Sequence, residues 1–375
     1  MVCDYFCNFR PRKSKDGWNH AELSLNTCSL TIQNIPEMKR LTLKDVARMA
    51  GVAPSTVSFV LNGKAKQMRI RDEVAQKIMG VVNQSGYEPH RVAVNLRTGQ
   101  SKTLGLIVES ISGSFFASLA RTIEIEAERL GYNVVYCSTE NNAEKGGELI
   151  RMLGRQMVDG YLITPAPGME NDIRRLVQMH KPVVLMDSYF PGIKAPYVLI
   201  DNFHGVQLGM DHLFEKGYRK IGYVSVDISL IQLSERQRSY VQALRKMEIP
   251  FRKKRMVELN YHDSREQNLA HLEAFIRENR DLDAIFFATN YLGILGLEAL
   301  GRLKLSMPKH MAVICFDDHD IFRLYPPGIT CIEQPIEGIA SKAITLLMKQ
   351  LDKQQGPLKE SQVTLPGKLI VRSST

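Results

Sequence analysis

The sequence lacks the features that mark membrane and secreted proteins. Within its 375 residues, no apolar run approaches the roughly 18 residues that cross a bilayer. The N-terminal residues hold no apolar segment followed by a small-residue cleavage site, so a secretory signal is not expected. The six cysteines are scattered without paired spacing. This usage predicts reduced thiols in a cytoplasmic protein.

Motifs of the common enzyme classes are also missing. The chain has no Walker loop, no G-x-G-x-x-G after its first predicted strand, no nucleophile elbow and no zinc motif. Cys3 and Cys7 have the spacing of half a metal site, but no second Cys or His pair follows at finger spacing. We therefore expect no catalytic residues, no metal and no cofactor.

The positive charge is concentrated in one part of the chain. The net charge is +9, and residues 38–100 contribute +7 of it through eleven basic and four acidic side chains. Residues 1–37 are balanced, with four of each sign. A compact basic module on a near-neutral body is typical of nucleic-acid binding. The alternative is a solvated basic surface, and charge alone does not decide between the two.

The basic segment has the pattern of a helix-turn-helix domain over residues 38–86. Apolar residues follow Thr42 at helical spacing, Thr42 is a natural N-cap, and Asp45 stands where a capping box has its acidic partner. A second helix is predicted from Pro54, which suits a first turn, and a third over residues 71–86. Short helices joined by a tight turn and followed by a third define this motif.

Two flanking segments have a different character. Residues 1–37 show no sustained periodicity, which predicts a disordered extension. The extension is either a flexible arm or the product of a misassigned start, because Met38 opens the organised part. Residues 87–102 are short, basic and flanked by proline and glycine, and they predict a hinge or linker with one helical turn.

Strands and helices alternate through the rest of the chain. Near-continuous apolar segments such as "TLGLIVE", "VDGYLITP" and "AVICFDD" are separated by amphipathic helical segments. This alternation predicts an α/β fold with parallel sheets. The strands are too many for one small sheet, so we expect two doubly wound lobes with a ligand crevice at the carboxyl ends of their strands.

The order of these parts resembles the LacI family of bacterial transcription regulators. The resemblance covers residues 38–375 and rests on separated motifs in the right order: "TLKDVARMAGV…STVSFVLNG", "GYEP…AVNLRTG", "TLGLIVESISGSFFASLARTIE" and "AVICFDD". It implies an N-terminal helix-turn-helix, a hinge helix, and a two-lobed core of doubly wound parallel sheets that is similar to periplasmic sugar-binding proteins.

The family's chain crosses between the lobes three times, which sets expected boundaries for the core at 103–375. By that resemblance, the first lobe comprises about residues 103–200 and 334–362. The second lobe comprises about residues 201–333 and 363–375.

The function implied by the resemblance is a repressor of carbohydrate-metabolism genes. Its partners are double-stranded operator DNA and a sugar or sugar-phosphate effector bound between the lobes. The resemblance implies that the protein acts in the cytoplasm and does not bind a membrane. It implies a homodimer or, alternatively, a tetramer. Two other functions remain open: a sugar-binding transport component and a sugar-modifying enzyme. For an enzyme, the acidic residues of "CFDDHD" could bind magnesium or act in catalysis. They could equally accept hydrogen bonds from the hydroxyl groups of a ligand.

The resemblance carries DNA contacts over to nine residues. They are Thr42, Pro54, Ser55, Thr56, Ser58, Phe59, Asn62, Arg91 and Leu96. Short side chains let a recognition helix enter the major groove, so Ser55 and Thr56 are predicted to contact DNA, with helix capping as the alternative. Leu96 matches the hinge leucine that wedges into the minor groove.

Phe59 departs from the family pattern. Most relatives have Arg at this position, but the fructose-repressor branch has an aromatic residue. The insertion "NGKAKQMRI" also resembles that branch. Phe59 is predicted either to contact a thymine methyl or to pack on the neighbouring helix.

Effector contacts are carried over to eight residues. They are Ser110, Ser112, Phe115, Phe116, Asp187, Arg236, Asn290 and Asp317. Carboxylates, an amide, a guanidinium and aromatic rings suit a polyhydroxylated ligand, although Arg236 suits a phosphate or carboxylate equally well. Asn290 is followed by Tyr291, whereas relatives often have Asp at that position. The carboxylate acceptor of those relatives is therefore not carried over to this chain. The alternative is an Arg236–Asp317 ion pair that only closes the lobes.

Overall fold

The computed structural model describes residues 41–87, 99–352 and 361–375. The chain divides into two compact units, Met1–Pro89 and His90–Thr375, here called the head and the core. The predicted extension at residues 1–37 lies outside the described residues. So do Arg91 and Leu96 of the predicted hinge.

The head contains three helices that begin and end at the predicted signals. They are α1 (Leu43–Ala50), α2 (Pro54–Leu61) and α3 (Asp72–Ser85). The Thr42 hydroxyl accepts a hydrogen bond from the backbone of Asp45 at 3.3 Å, and the Asp45 carboxylate accepts one from the backbone of Thr42 at 2.9 Å. This reciprocal pair is the predicted capping box. Gly51 ends α1 with a φ of 68°, a backbone conformation that favours glycine.

A small hydrophobic cluster holds the three head helices together. Its buried members are Val46, Ala47, Ala50, Val57, Val60, Ile78 and Tyr87. The insertion after α2 folds back on that helix, because the backbone of Lys64 donates to the Phe59 carbonyl at 2.9 Å. Residues 41–87, the described part of the head, thus pack as a compact three-helix unit, in line with the predicted helix-turn-helix.

The first lobe of the core is a six-stranded sheet with helices on both faces. Its strands are β1 (Thr103–Val108), β2 (Asn133–Ser138), β3 (Gly160–Ile163), β4 (Val183–Met186), β5 (Tyr197–Ile200) and β11 (Gln362–Leu365). Its helices are α4 (Ser114–Arg129), α5 (Ala143–Arg155), α6 (Glu170–Gln178) and α12 (Ile336–Leu351). The strand order is β2-β1-β3-β4-β5-β11, and every neighbouring pair is parallel.

The second lobe repeats this arrangement. Its strands are β6 (Ile221–Asp227), β7 (Met256–Asn260), β8 (Ala284–Phe287), β9 (Ala312–Phe316), β10 (Thr330–Glu333) and β12 (Lys368–Ile370). Its helices are α7 (Asn202–Glu215), α8 (Ile231–Lys246), α9 (Arg265–Glu278), α10 (Asn290–Arg302) and α11 (Asp320–Leu324). The order is β7-β6-β8-β9-β10-β12, and only the pairing of β12 with β10 is antiparallel.

Both lobes are doubly wound α/β units, which confirms the predicted fold class. The apolar strands are buried on both faces because helices cover each side of the sheet. Equivalent strands occupy equivalent places in the two orders, so β1 corresponds to β6 and β4 to β9.

The chain passes between the lobes after β5, after β10 and after β11. The last crossing differs slightly from the expectation, which assigned residues 363–365 to the second lobe. The structure places them in the first lobe, because β11 pairs with β5 as far as Leu365, opposite Ile200. The hydrogen-bond ladder between β11 and β5 sets this boundary. The apolar pattern of the sequence does not show which strands pair.

Glycines let some helices lie close on the second sheet. A Cβ at Gly209 of α7 would come within 2.7 Å of the Phe286 ring, and one at Gly296 of α10 would overlap the ring of Phe287. The large rings of β8 therefore fill the space that these glycines leave. In the described part of the chain, no helix has both the length and the apolar character to cross a membrane.

Candidate functional site

A cavity of about 450 Å³ lies between the two lobes of the core, at the carboxyl ends of their strands. Strand ends and the first turns of the following helices supply its walls. All eight residues predicted to bind an effector line it: Ser110, Ser112, Phe115, Phe116, Asp187, Arg236, Asn290 and Asp317. The tertiary structure thus brings together residues that are spread over some 200 positions of the sequence.

Arg236 is held firmly at the floor of the cavity. It projects from α8 and is only 2% exposed. Its Nε donates to Asn202 Oδ1 at 2.8 Å, and its Nη1 donates to the carbonyl of Ala288 at 2.7 Å. Its guanidinium stacks on Phe316 with 3.6 Å to the ring centroid. These contacts hold the guanidinium in one orientation, because Phe316 contacts its plane and the two hydrogen bonds bind its edge.

Two aspartates at strand ends face this guanidinium. Asp187 follows β4 and Asp317 follows β9, in the two different lobes. Burial raises the pKa of Asp187 to about 6, against the opposing effect of Arg236. Burial also raises the pKa of Asp317, whose Oδ2 lies 3.8 Å from Arg236 Nη1. Amides orient both carboxylates: Gln232 donates to Asp187 at 2.9 Å, and Gln334 donates to Asp317 at 2.6 Å.

Hydrogen bonds cross the cleft at three places. Gln232 of the second lobe donates to Asp187 of the first lobe. The Tyr261 hydroxyl, after β7, donates to Glu109 Oε1 at 3.2 Å. Asn290 donates to Ser114 Oγ at 3.3 Å, which joins the first residue of α10 to the first residue of α4. These hydrogen bonds join the two lobes, which are therefore in contact around the cavity.

Two glutamates in the cavity were not predicted from the sequence. Burial raises the pKa of Glu109 to about 7, with further contributions from the charges of Asp187 and Glu140. Ser110 donates to Glu140 at 3.2 Å and lies 2.9 Å from the Ser112 hydroxyl. Glu109 directly follows β1, and this position at a strand end was the signal available in the sequence.

Other cavity residues were also missed. They are Gly113, Ser114, Asn141, Ile228, Leu230, Gln232, Leu233, Tyr261, Thr289, Tyr291, Ile294, His319 and Gln334. Several of them lie in turns and first helical turns, where residue type carries little signal. The predicted Phe115–Phe116 pair makes an edge-to-face contact with 5.1 Å between ring centroids.

The structure does not support the alternative role of the ion pair. Arg236 and Asp317 both belong to the second lobe, so their ion pair does not close the lobes. Asn290 begins α10, after β8 has ended at Phe287. Tyr240, on the same helix as Arg236, is buried in the core, where its hydroxyl donates to the Ile221 carbonyl at 2.9 Å.

The acidic segment after β9 does not assemble a cation site. Asp318 is bound by Arg372 through two hydrogen bonds of 2.9 and 2.6 Å, and Asp320 pairs with Arg323. Within the described residues there is no group of three or more His, Cys, Asp or Glu side chains arranged to hold a metal ion. Asp317 is the member of this segment that faces Arg236.

In the head, the predicted DNA contacts concentrate on one exposed face of α2. Ser55, Phe59 and Asn62 are spaced four and three residues apart, so they share a face. Ser55 and Asn62 are exposed. Helix capping does not explain Ser55 or Thr56, because the N-cap of α2 is Ala53 and it has no side-chain hydrogen bond. Thr42, by contrast, is engaged in its own capping box.

Phe59 is half-buried but does not join the hydrophobic cluster of the head. Val57 and Val60 on the opposite face of α2 are buried in that cluster, and Leu61 packs against it. Within the described part of the head, Phe59 thus lies on the polar face with Ser55. This placement favours recognition over packing between helices.

Family models match both parts of the chain. Residues 42–90 match the model described as bacterial regulatory proteins, lacI family. Residues 210–375 match the periplasmic binding protein-like domain. The chain therefore combines a lacI-family helix-turn-helix domain with a periplasmic binding protein-like domain.

Matches to curated relatives extend over most of the chain. The transcriptional repressor PurR of Actinobacillus pleuropneumoniae is 26% identical over 333 residues, which cover 89% of this chain and 98% of the relative. The ribose operon repressor of Halalkalibacterium halodurans is 28% identical over 336 residues, with 89% and 97% covered. The match of residues 42–90 and these repressor relatives show a DNA-binding transcription regulator.

Solved structures show the same fold. The lac repressor dimer bound to operator and the anti-inducer ONPF has a TM-score of 0.76 at 20% identity, with 90% of this chain and 99% of that chain covered. The periplasmic binding protein/LacI transcriptional regulator of Alkaliphilus metalliredigens, complexed with D-xylulofuranose, has a TM-score of 0.62 at 26% identity, with 73% and 99% covered.

Proposed function

We propose that this protein represses transcription through its head and that a hydroxylated small molecule in the interlobe cavity sets its affinity for operator DNA. The observation that carries the proposal is the joint occurrence of a basic helix-turn-helix and a polar cavity in one chain. Eleven basic residues lie within 38–100. The cavity combines carboxylates, a fixed guanidinium, amides and aromatic rings. Such a set recognises hydroxyl groups and stacks on sugar rings.

Two copies bind one operator, with one head on each half-site. A single recognition helix contacts few base pairs, and two-fold protein symmetry matches a near-palindromic site. The lac repressor dimer on its operator has the same fold and supports this arrangement. The protein works in the cytoplasm, where operator DNA is accessible, and it has no enzymatic role in this scheme.

The ligand acts by changing the balance between open and closed lobes. The hydrogen bonds from Gln232 to Asp187 and from Tyr261 to Glu109 join the lobes beside the cavity. A ligand that contacts both walls favours the closed arrangement by its differential affinity for it. Closure then alters how the paired heads meet DNA, which couples the two binding events reciprocally. The relatives named for ribose and complexed with D-xylulofuranose support a sugar as the ligand.

Operator binding is tested first. Selection from random duplexes, followed by footprinting of full-length protein, should give a protected site with dyad symmetry. The logarithm of the affinity should fall with the logarithm of salt concentration by about 0.9 for each phosphate neutralised. A footprint without dyad symmetry, or binding that salt does not weaken, would contradict the proposal.

Coupling to the cavity is tested with Arg236→Ala. Thermal-shift screening against sugars, sugar phosphates and nucleobases identifies a ligand, and operator binding is titrated with and without it. We expect Arg236→Ala to bind the operator but to lose the response to ligand. Arg280→Ala is the matched control, because Arg280 is exposed in the same lobe. Arg236→Lys tests whether the fork is needed in addition to the charge. A full response in Arg236→Ala would remove this residue from the site.

A further inference from the structure

The charges that line the cavity are strongly unequal. Among the described lining residues are four carboxyl groups, from Glu109, Glu140, Asp187 and Asp317, against the guanidinium of Arg236 and the imidazole of His319. In the described part of the chain, neither Glu109 nor Glu140 forms an ion pair with a lysine or arginine; the ion pair at this site joins Arg236 to Asp317. The wall formed by Glu109 and Glu140 thus holds two acidic groups without a cation of their own, and a cation beside Glu109 would favour the charged form of its carboxyl group.

Arg236 is poorly placed to offset this charge for an incoming anion. Its Nε and Nη1 already donate to Asn202 and to the Ala288 carbonyl, and one face lies on the Phe316 ring. Asp317 is 3.8 Å away, and Asp187 also experiences the charge of Arg236. Its positive charge is therefore shared between two carboxylates before any ligand binds. A phosphate group would bring further negative charge into this field.

The hydrogen-bonding groups of the cavity show a related imbalance. Gln232 is only 6% exposed, and its Nε2 donates a hydrogen bond to Asp187. Its acceptor, Oε1, has no hydrogen-bond partner among the described residues. A buried acceptor without a donor is unfavourable, and a ligand that supplies a donor relieves it.

We propose that the cavity binds a hydroxylated ligand with a protonated amine, such as an amino sugar, and that it excludes phosphorylated sugars. The ammonium group lies against the wall of Glu109 and Glu140, and it gives hydrogen bonds to carboxylates that have no cation of their own. A ligand hydroxyl can donate to Gln232 Oε1, which has no partner among the described residues. This assignment of the ligand class rests on the proposed role of the cavity as the effector site.

The test uses sets of sugars that differ only in charge. Glucose, mannose and galactose are each compared with the corresponding 2-amino-2-deoxyhexose and the hexose 6-phosphate, by calorimetry on the full-length protein at neutral pH. In at least one set we expect the amino form to bind about tenfold more tightly than the neutral form. The phosphorylated form of that set should bind more weakly than either.

Variants locate the ammonium group. Glu109→Gln keeps the shape and removes the charge, and it should weaken binding of the amino form about tenfold while it changes binding of the neutral form less than about twofold. Glu128→Gln is the matched control, because Glu128 is exposed on α4 away from the cavity lining. It should leave both affinities unchanged.

Three outcomes would overturn the proposal. They are tighter binding of a phosphorylated than of a neutral member, equal losses for amino and neutral forms in Glu109→Gln, and no binding by any member of the three sets. Operator binding is measured on the same samples. If it is intact and responds to a neutral or phosphorylated ligand, the ligand class is wrong while the proposed regulator function stands.

Discussion

Asp187 and Asp317 occupy equivalent positions in the two lobes and share one arginine. Each follows the matching strand of its sheet, β4 or β9, and each has a left-handed backbone, with φ of 62° and 69°. Aspartate tolerates this conformation better than most residues, and such strain concentrates at functional sites. Arg236 lies near both carboxylates and favours their charged forms. The cavity is thus built around a repeated structural position of the fold.

Stability should fall as the pH rises through the range in which buried Glu109 ionises. Its pKa is raised from 4.5 to about 7, so the folded state binds more protons than the unfolded state between these values. The free energy of unfolding should therefore decrease over this window, by about 1 kcal/mol per pH unit from this group, and level off above it. Denaturant unfolding at a series of pH values measures the slope.

The variant Glu109→Gln isolates this contribution from that of Asp187, whose pKa is also raised. Glu140, Asp187, Tyr261 and Tyr291 also face or influence Glu109, and they remain unchanged in the variant. The variant should be less sensitive to pH than the wild type between about pH 5 and 7. The exposed control Glu128→Gln should follow the wild type. An unchanged slope in Glu109→Gln would show that Glu109 is not buried as described.

Phe59 should recognise a thymine methyl. Replacement of thymine by deoxyuridine, one position at a time in the operator, removes single methyl groups. One position in each half-site should weaken wild-type binding about fourfold, since burial of a methyl-sized group contributes about 0.8 kcal/mol. Phe59→Ala should bind the thymine operator more weakly and be insensitive to deoxyuridine at that position.

Stability measurements separate this role from packing. Because Phe59 lies outside the head's hydrophobic cluster, Phe59→Ala should lower the stability of the head less than Val57→Ala, which removes a fully buried side chain. If Phe59→Ala destabilises the head as much as Val57→Ala does, the packing alternative is right.

Two glycines of α10 should respond oppositely to alanine. A Cβ at Gly296 would overlap the Phe287 ring, so Gly296→Ala should lower the free energy of unfolding by about 1 to 3 kcal/mol. On the same helix, a Cβ added at Gly301 would meet no heavy atom within 4 Å outside the neighbouring backbone of the helix. Gly301→Ala should therefore leave stability unchanged or raise it by less than about 1 kcal/mol. Equal effects in denaturant unfolding would argue against close packing of α10 on β8.

Leu96 should bend the operator. It lies outside the described residues, and its role as a minor-groove wedge stays a prediction from the family resemblance. A wedge partly unstacks one base step and kinks the duplex. Leu96→Ala should therefore reduce both the bend angle, measured by energy transfer between labelled DNA ends, and the operator affinity. If both match the wild type, Leu96 packs on the core or on the second copy instead.

Local sequence patterns determined the elements of this protein. Thr42 and Asp45 specify the start of α1 because a capping box needs only residues three apart. The alternation of apolar strands with amphipathic helices likewise specifies two doubly wound lobes, since each strand must be covered on both faces. The eight predicted effector residues share the cavity because parallel sheets bring their strand ends to one edge.

Only the tertiary structure decided how these residues meet. The position of the last crossing depends on the sheet, since β11 continues to Leu365 because of its ladder with β5. Glu109, Gln232 and Tyr261 enter the cavity from turns and helix starts of both lobes. The excess of carboxyl groups over cations among the described lining residues follows from that assembly, because it depends on side chains that are distant in sequence.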